Sequence, residues 1–232
     1  MRLLLHCCCG PCASACVPRL KAEGHKVTLF FANSNIDTAA EFERRASAAR
    51  RLAEADGVGF VAAPYDHAKW LREAATGFER EPEKGARCAR CFRFSMGECA
   101  HYAAEHGYEG FCSSLTVSPH KVSAMVFAAG RASETAAAPF VPEDFKKKQG
   151  FLVSVRRAKE LGLYRQSYCG CEFSRRGANR GDDLDSRRES AGGAYVRAAG
   201  EGADRSSCAR TGGGAPHPEV QRHPYLVHAI RD

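Results

Sequence analysis

An open, mostly parallel α/β sheet is the fold this sequence predicts, on three observations. Short apolar, β-branched runs alternate with segments of helical period through the first half of the chain. Glycine follows the helical segments where a helix should stop. The first apolar run leads directly into a loop crowded with cysteine, the position at which sheets of this kind hold ligands.

Arg2–Leu5 is the first strand, followed by a Gly-Pro-containing loop and a helix from Cys12 to Glu23 that Gly24 ends. Lys26–Ala32 (KVTLFFA) is apolar enough for a buried strand. Ala40–Asp56, rich in Arg, Glu and Ala, is an amphipathic helix stopped by Gly57. Val58–Ala63 makes the third strand and His67–Ala75 a short helix. Phe92–His106 is the next helix, Gly110–Leu115 a further strand, and another helix lies within Lys121–Gly130. From Gly177 the composition turns to Gly, Ala, Arg, Ser and Asp without periodicity, so residues 1–176 read as the folded domain and 177–232 as a low-complexity, disordered tail. Cys208, His217 and His223 of that tail have no partner at metal-ligand spacing.

With 232 residues the chain can bury a core without disulfide staples, and 44% hydrophobic against 26% charged residues excludes a disordered or fibrous chain as a whole. The formal charge of +7 suits either a solvated Arg-rich surface or a polyanion-binding face. The N-terminal apolar run is too short for a signal h-region or a membrane span, so the expected location is the cytoplasm, with no membrane partner. Twelve cysteines in a reducing compartment then argue for metal or redox chemistry.

Cys7, Cys8, Cys9 and Cys12 crowd the first loop, and soft thiolates at that density bind zinc or an iron–sulfur cluster. Adjacent cysteines favour a cluster, because neighbouring side chains reach different irons more easily than one tetrahedral ion. Cys88-Ala89-Arg90-Cys91 supplies a second pair where a loop turns into a helix, which makes four ligands from two loops. Structural zinc and thiol–disulfide chemistry remain the alternatives. Cys16, Cys99 and Cys112 fall within helices or strands and read as small hydrophobes. In Cys169-Gly170-Cys171 the glycine lets the chain bend tightly enough for a strained, easily reduced disulfide, and a further pair of metal ligands is the competing reading. Asp144-Phe145-Lys146-Lys147-Lys148 and Tyr164-Arg165-Gln166-Ser167-Tyr168 interleave basic and aromatic side chains, as phosphate and base contacts do and as solvated loops also do. His120, in Ser118-Pro119-His120-Lys121, is a proton donor or a polar cap.

LLLHCCCGPC, FFANSNIDTAAEFERR, RCARCF, SSLTVSPHK, DFKKKQG and LYRQSYCGCEFS occur in that order over about residues 1–174. Together they resemble the cobalamin-independent epoxyqueuosine reductases of the QueH family. The resemblance implies a Rossmann-like, HUP-type sheet and reduction of the epoxide of epoxyqueuosine to queuosine at the wobble position of tRNA. It implies that Cys8, Cys9, Cys88 and Cys91 hold a [4Fe-4S] cluster, that Cys169 and Cys171 form a redox-active disulfide, and that an additional mononuclear iron lies near Cys12. The partners are then tRNA carrying epoxyqueuosine and an electron donor that the sequence does not identify; it does not set the oligomeric state either. Gly10, Ser34 and Ser95 depart from the family pattern, which has Ala, Pro and Arg there.

Removing an epoxide oxygen to leave an alkene needs two electrons and two protons, with His120 or Tyr168 as the proton source. Two rival readings come from other classes. One is a zinc-bearing tRNA-binding module without redox activity. The other is an ATP-dependent tRNA sulfur transferase, which the absence of a Gly-Gly phosphate loop after the first strand argues against.

Overall fold

The computed structural model describes the backbone of residues 1–178 and 226–228, with side chains through Arg175. Cys208, His217, His223 and most of the expected tail lie outside the described residues. Strands β1 (Arg2–His6), β2 (Lys26–Phe31), β3 (Gly59–Ala62) and β4 (Gly110–Ser113) are mutually parallel, and β5 (Leu226–His228) runs antiparallel along β3, giving the order β4-β1-β2-β3-β5. The expected parallel α/β sheet is therefore present, with an antiparallel edge supplied by three residues of the segment read as disordered.

Both faces of the sheet are covered, which is why the strands read as unbroken apolar runs. Leu3, Leu5, Leu29, Phe31 and Phe60 point to one side, into a core shared with α1 (Gly10–Ala22), α2 (Ala39–Asp56) and α6 (Gly150–Glu160). Leu4, Phe30, Val61 and Phe111 point to the other, against α4 (Ala86–Glu105) and α5 (Ser123–Arg131). Leu3, Leu4 and Leu5 are fully buried, each contributing roughly 1.5–3 kcal/mol. Cys16 and Cys112 fill the first core and Cys99 the second, as small hydrophobes do.

Local chemistry sets the ends of the elements. Thr38 caps α2 by accepting from the Glu41 N–H, and Gly57 ends it at φ 62°. Between β3 and α4 the chain forms α3 (His67–Trp70), continued by a π-helical turn over Leu71–Ala75. Helix α4 begins at Ala86, six residues before the expected Phe92, so Cys88 and Cys91 lie in its first two turns, just inside the loop-to-helix turn expected for them. No side chain of its N-cap, Gly85, marks that start; the distant Glu81 carboxylate accepts from the Ala86 N–H at 3.0 Å instead. Strand β4 ends at Ser113 and passes into a 3-10 turn over Ser114–Val117. The last helix among the described residues, α7, spans Glu172–Ala178.

The order fixes where the site falls. From β1 the chain moves one way to β2 and β3, then returns through α4 to place β4 on the opposite side of β1. The carboxyl ends of β1 and β4 therefore flank the topological switch point.

Candidate functional site

Residues 7–9 leave β1 at that switch point and enter α1, whose N-cap is Cys9; its Sγ accepts from the Cys12 N–H at 3.4 Å. The Cys8 N–H donates to Ser114 Oγ at 3.1 Å, and that hydroxyl donates to Cys8 Sγ at 3.3 Å, so the β4 loop orients the β1 loop. Asn33, after β2, donates to the Cys7 carbonyl at 2.8 Å. Gly10 is required by crowding: a Cβ there would stand 2.8 Å from the Ala48 carbonyl oxygen. An alanine, usual at this position in the resembled family, would force α1 and α2 apart.

The Sγ atoms of Cys8, Cys9 and Cys12 lie within 4.8 Å of one another, a spacing at which three thiolates can hold a metal ion. Among the described residues this is the group the fold closes; it contains Cys12 alongside the expected Cys8 and Cys9, and does not contain Cys88 or Cys91. Cys9 is held well below the ordinary thiol range, because Cys12 and then Cys8 donate to its sulfur. Cys12 is pushed well above that range by the same contacts with Cys8 and Cys9, with burial adding. At Cys8 the Cys12 contact pulls down, but the Cys9 contact and burial outweigh it and the thiol rises.

The second pair opens α4. Cys88 Sγ accepts from the Lys84 N–H at 3.3 Å. Cys91 packs with Trp70, Ala74, Ala75 and Cys171, where burial and then the Cys169 sulfur push its thiol up. Both cysteine pairs thus sit near helix starts, with Cys9 as the N-cap of α1 and Cys88 in the first turn of α4.

The third pair lies in the segment between α6 and α7. Cys169 and Cys171 are free thiols, the second buried and raised by burial and then by Cys169. Gly170 between them adopts φ 138°, and a Cβ would press on Asn35 Nδ2 at 3.0 Å. Arg45, only 2% exposed, receives this segment: Nη1 donates to the Cys169 carbonyl at 3.0 Å, Nη2 to the Tyr168 carbonyl at 3.4 Å, and Nε to Glu41 at 2.7 Å. The Asp37 N–H donates to the Gly170 carbonyl at 3.0 Å, and its carboxylate accepts the Tyr168 hydroxyl at 2.8 Å. The loop after β2 and the first turns of α2 are therefore the seat of the Cys-Gly-Cys segment.

A cavity of about 460 Å³ joins these parts, lined by Cys8, Cys9, Cys12, Cys91, Cys169 and Lys121. His120 stands exposed at its rim, and Tyr168 also lines it with its hydroxyl committed to Asp37. Cys88 and Cys171 are not in its wall. Sequence reading left Lys121 and Arg45 without a role. Lys121 Nζ lies 2.7 Å from Cys169 Sγ; burial works against its charge, yet the Cys169 sulfur outweighs burial and raises its pKa. The Glu41/Arg45 spacing of four on α2 was the available signal for the latter.

Fold and site define an α/β enzyme that gathers thiols at the switch point of a parallel sheet. The sequence profile described as Epoxyqueuosine reductase QueH matches residues 3–177. A Streptococcus pyogenes protein of that name is 35% identical over 179 residues, 74% of this chain and 69% of the relative. One from Histophilus somni is 33% identical over 190 residues (81% and 78%), and one from Acinetobacter baylyi 35% over 181 residues (77% and 83%). Among solved structures, the U34-tRNA thiolase NcsA from Methanococcus maripaludis with its [4Fe-4S] cluster superimposes with a TM-score of 0.49 and 11% identity, covering 81% of this chain and 67% of that one. The chain belongs to the QueH family of epoxyqueuosine reductases and is an oxidoreductase of queuosine biosynthesis. No described helix is long and apolar enough to cross a membrane.

Proposed function

We propose that this chain reduces the epoxide of epoxyqueuosine at the wobble position of tRNA to the alkene of queuosine, with Cys8, Cys9, Cys88 and Cys91 holding a [4Fe-4S] cluster and Cys169 and Cys171 as its redox-active pair. The single observation that carries the proposal is the common cavity, into which the β1 loop, the start of α4 and the Cys-Gly-Cys segment each present a cysteine. The donor set suits the group: all four residues are cysteines, and the Cys9 contact at Cys8, aided by burial, and burial at Cys91 drive both toward the protonated thiol unless a cation compensates. The buried Trp70 Nε1–H faces the Cys91 sulfur and works against burial in pulling its thiol down, so it is a ready donor to cluster or thiolate sulfur. Cys12, which shares the tight triad with Cys8 and Cys9, is the residue nearest at hand for an additional mononuclear iron.

When bound, the cluster supplies one-electron transfer and Lewis acidity. The remaining work belongs to the chain. Overall, the epoxide takes two electrons and two protons and leaves an alkene and water; the dithiol of Cys169 and Cys171 gives up the same two electrons and two protons in closing its disulfide, so the exchange balances. Lys121 holds a positive charge against Cys169, where the thiol must ionise to react. His120, exposed at the rim, is free to protonate the departing oxygen, whereas the Tyr168 hydroxyl already donates to Asp37. Arg45 and Asp37 fix the backbone of the redox pair. An external electron donor must reopen the disulfide after each turnover, and the cytoplasm is the compartment in which such a cycle is sustained.

The test is anaerobic purification followed by iron, sulfide and zinc analysis with visible spectra before and after dithionite. About four irons and four sulfides with a bleachable band are expected, as four cysteines around a cubane require. Cys88→Ala should lose both colour and activity, and an active, colourless variant would sink the ligand assignment. Stoichiometric zinc without sulfide would make the site the structural one of a zinc-bearing tRNA-binding module and end the reductive reading.

A further inference from the structure

A cavity of about 460 Å³, part of which a cluster on Cys8, Cys9 and Cys91 would take, has no room for more than one modified nucleotide. If the reacting base enters it, that base has left its stack, and the nucleotides on either side must lie against the rim. The rim is built unlike the rest of the surface. Met1, Val122, Phe151 and Leu152 are the exposed large hydrophobics among the described residues, and of these Phe151 lines the cavity. Leu152, at 61% exposure, and Phe151, at 37%, begin α6 with their apolar surface in water.

The charge beside Phe151 is mostly of one sign. Lys147 and Lys148 precede Phe151, are exposed, and have no carboxylate partner among the described residues. Arg165 and Lys121 line the mouth, and Glu83 is the one carboxylate that does so among the described residues. The turn that carries the lysines is strained. Lys148 and Gln149 adopt φ values of 57° and 60°, a left-handed conformation unfavourable to a residue with a side chain. Gly150 cannot be anything larger, because a Cβ would fall 1.7 Å from the Phe145 carbonyl oxygen. Lys146 ties the turn down by donating to Ser123 Oγ at 3.0 Å and to the Lys121 carbonyl. The turn is anchored from beneath, and its outward face is left to Lys147, Lys148 and Phe151.

We propose that Phe151 is a stacking platform for a base adjacent to the reacting nucleotide, with Lys147 and Lys148 neutralising the phosphates that flank it. The proposal rests on the reading of the substrate as tRNA and assigns the part of the anticodon loop outside the cavity. An exposed aromatic beside unpaired cations is how proteins hold single-stranded nucleic acid, since every base has a face to stack and every linkage a charge. A protein partner is the less suited occupant, because the exposed apolar surface is small and the charges beside it are mostly cationic.

The experiment uses the anaerobically purified holoprotein and a fluorescein-labelled anticodon stem–loop RNA, intact or with one abasic position on either side of the wobble nucleotide. Phe151→Ala should weaken binding of the intact RNA by about 5- to 150-fold, the range for losing one stacked base, and Phe151→Trp should restore it. One of the two abasic RNAs should bind wild type equally weakly and show no further loss with Phe151→Ala, because both changes remove the same contact. Lys147→Ala/Lys148→Ala should flatten the slope of log affinity against log salt by about 1.4, two phosphates' worth for a single strand. Equal additive losses on every RNA, or a Phe151→Ala affinity within twofold of wild type, would overturn the platform. Reduction of the epoxide is scored separately, so a holoprotein that binds the stem–loop through Phe151 but leaves the epoxide intact would refute the reaction and not the platform.

Discussion

Replacing Arg45 with alanine tests the seat of the redox pair most directly. The guanidinium is 2% exposed and its partner Glu41 is 8% exposed at the side chain, so water screens neither. Without Arg45 the Glu41 carboxylate keeps the Tyr164 hydroxyl at 3.1 Å and an exposed Arg44 at 3.9 Å, too little to hold a buried charge. Breaking a buried pair by removing one partner costs about 3–5 kcal/mol. For a domain of this size about 2–4 °C of melting temperature accompanies each kcal/mol, which gives a drop of roughly 6–20 °C, measurable by circular dichroism on anaerobically purified protein. Glu41→Gln/Arg45→Met, which leaves no lone charge, should recover at least half of that drop. The two hydrogen bonds from Arg45 to the Cys169 and Tyr168 carbonyls are lost in both variants, so hydrogen exchange at the Asp37 amide, which donates to the Gly170 carbonyl, should quicken in both. A melting temperature within 2 °C of wild type, or unchanged Asp37 protection, would refute the claim that Arg45 both neutralises Glu41 and fastens the Cys-Gly-Cys segment.

Lys121→Met should slow alkylation of Cys169 by iodoacetamide several-fold at neutral pH while leaving Cys16 and Cys112 unreactive, because it removes the ammonium 2.7 Å from the Cys169 sulfur; peptide mass spectrometry over a time course reads it, and an unchanged rate would deny Lys121 its role. Glu98 has its carboxyl raised by burial, with Lys69 offsetting only part of that. A raised folded-state pKa means that the native protein binds this proton more tightly than the unfolded chain, so the residue favours folding as pH falls toward the folded pKa and opposes it above. Glu98→Gln should therefore raise the melting temperature at pH 8, by an effect worth at most about 1 kcal/mol, and the gain should shrink steadily on acidification; a gain that grows on acidification would reverse the sign argued here.

The sheet was legible because its strands are buried on both faces and so read as plain apolar runs, and α2 because Thr38 and Gly57 mark its ends in the local sequence. Helix α4 was placed late since its start is capped through Glu81, five residues upstream, and Gly85 gives no side-chain signal. Helix α6 was not read at all: it opens on a glycine after two left-handed residues, a pattern that otherwise marks a turn. Strand β5 is three residues whose pairing with β3 spans most of the chain, and no local period reports such a partner. The same distinction divides the site. Thiol density pointed to Cys7, Cys8, Cys9 and Cys12 alike, which are neighbours in sequence, and the fold turns Cys7 into the core while closing the other three together. Arg45 with Cys169, and Lys121 with the same residue, are contacts across long loops, invisible to spacing.

That division follows from how the cavity is assembled. The thiols of the β1 loop and of α4 stand at helix N-termini fixed by the sheet, so their geometry is set when the core packs. Cys169 and Cys171 belong to a segment outside the sheet, and they reach the cavity because Arg45, Asp37 and Lys121 fasten that segment through its carbonyls, a backbone amide and one sulfur. On the function proposed above, a metal centre needs fixed ligands, whereas a dithiol that must also meet an external reductant needs to be held without being enclosed. Cys169 is half-buried at the cavity wall and Cys171 is buried outside that wall, so Cys169 is the sulfur an external reductant would reach, and Lys121 stands beside it.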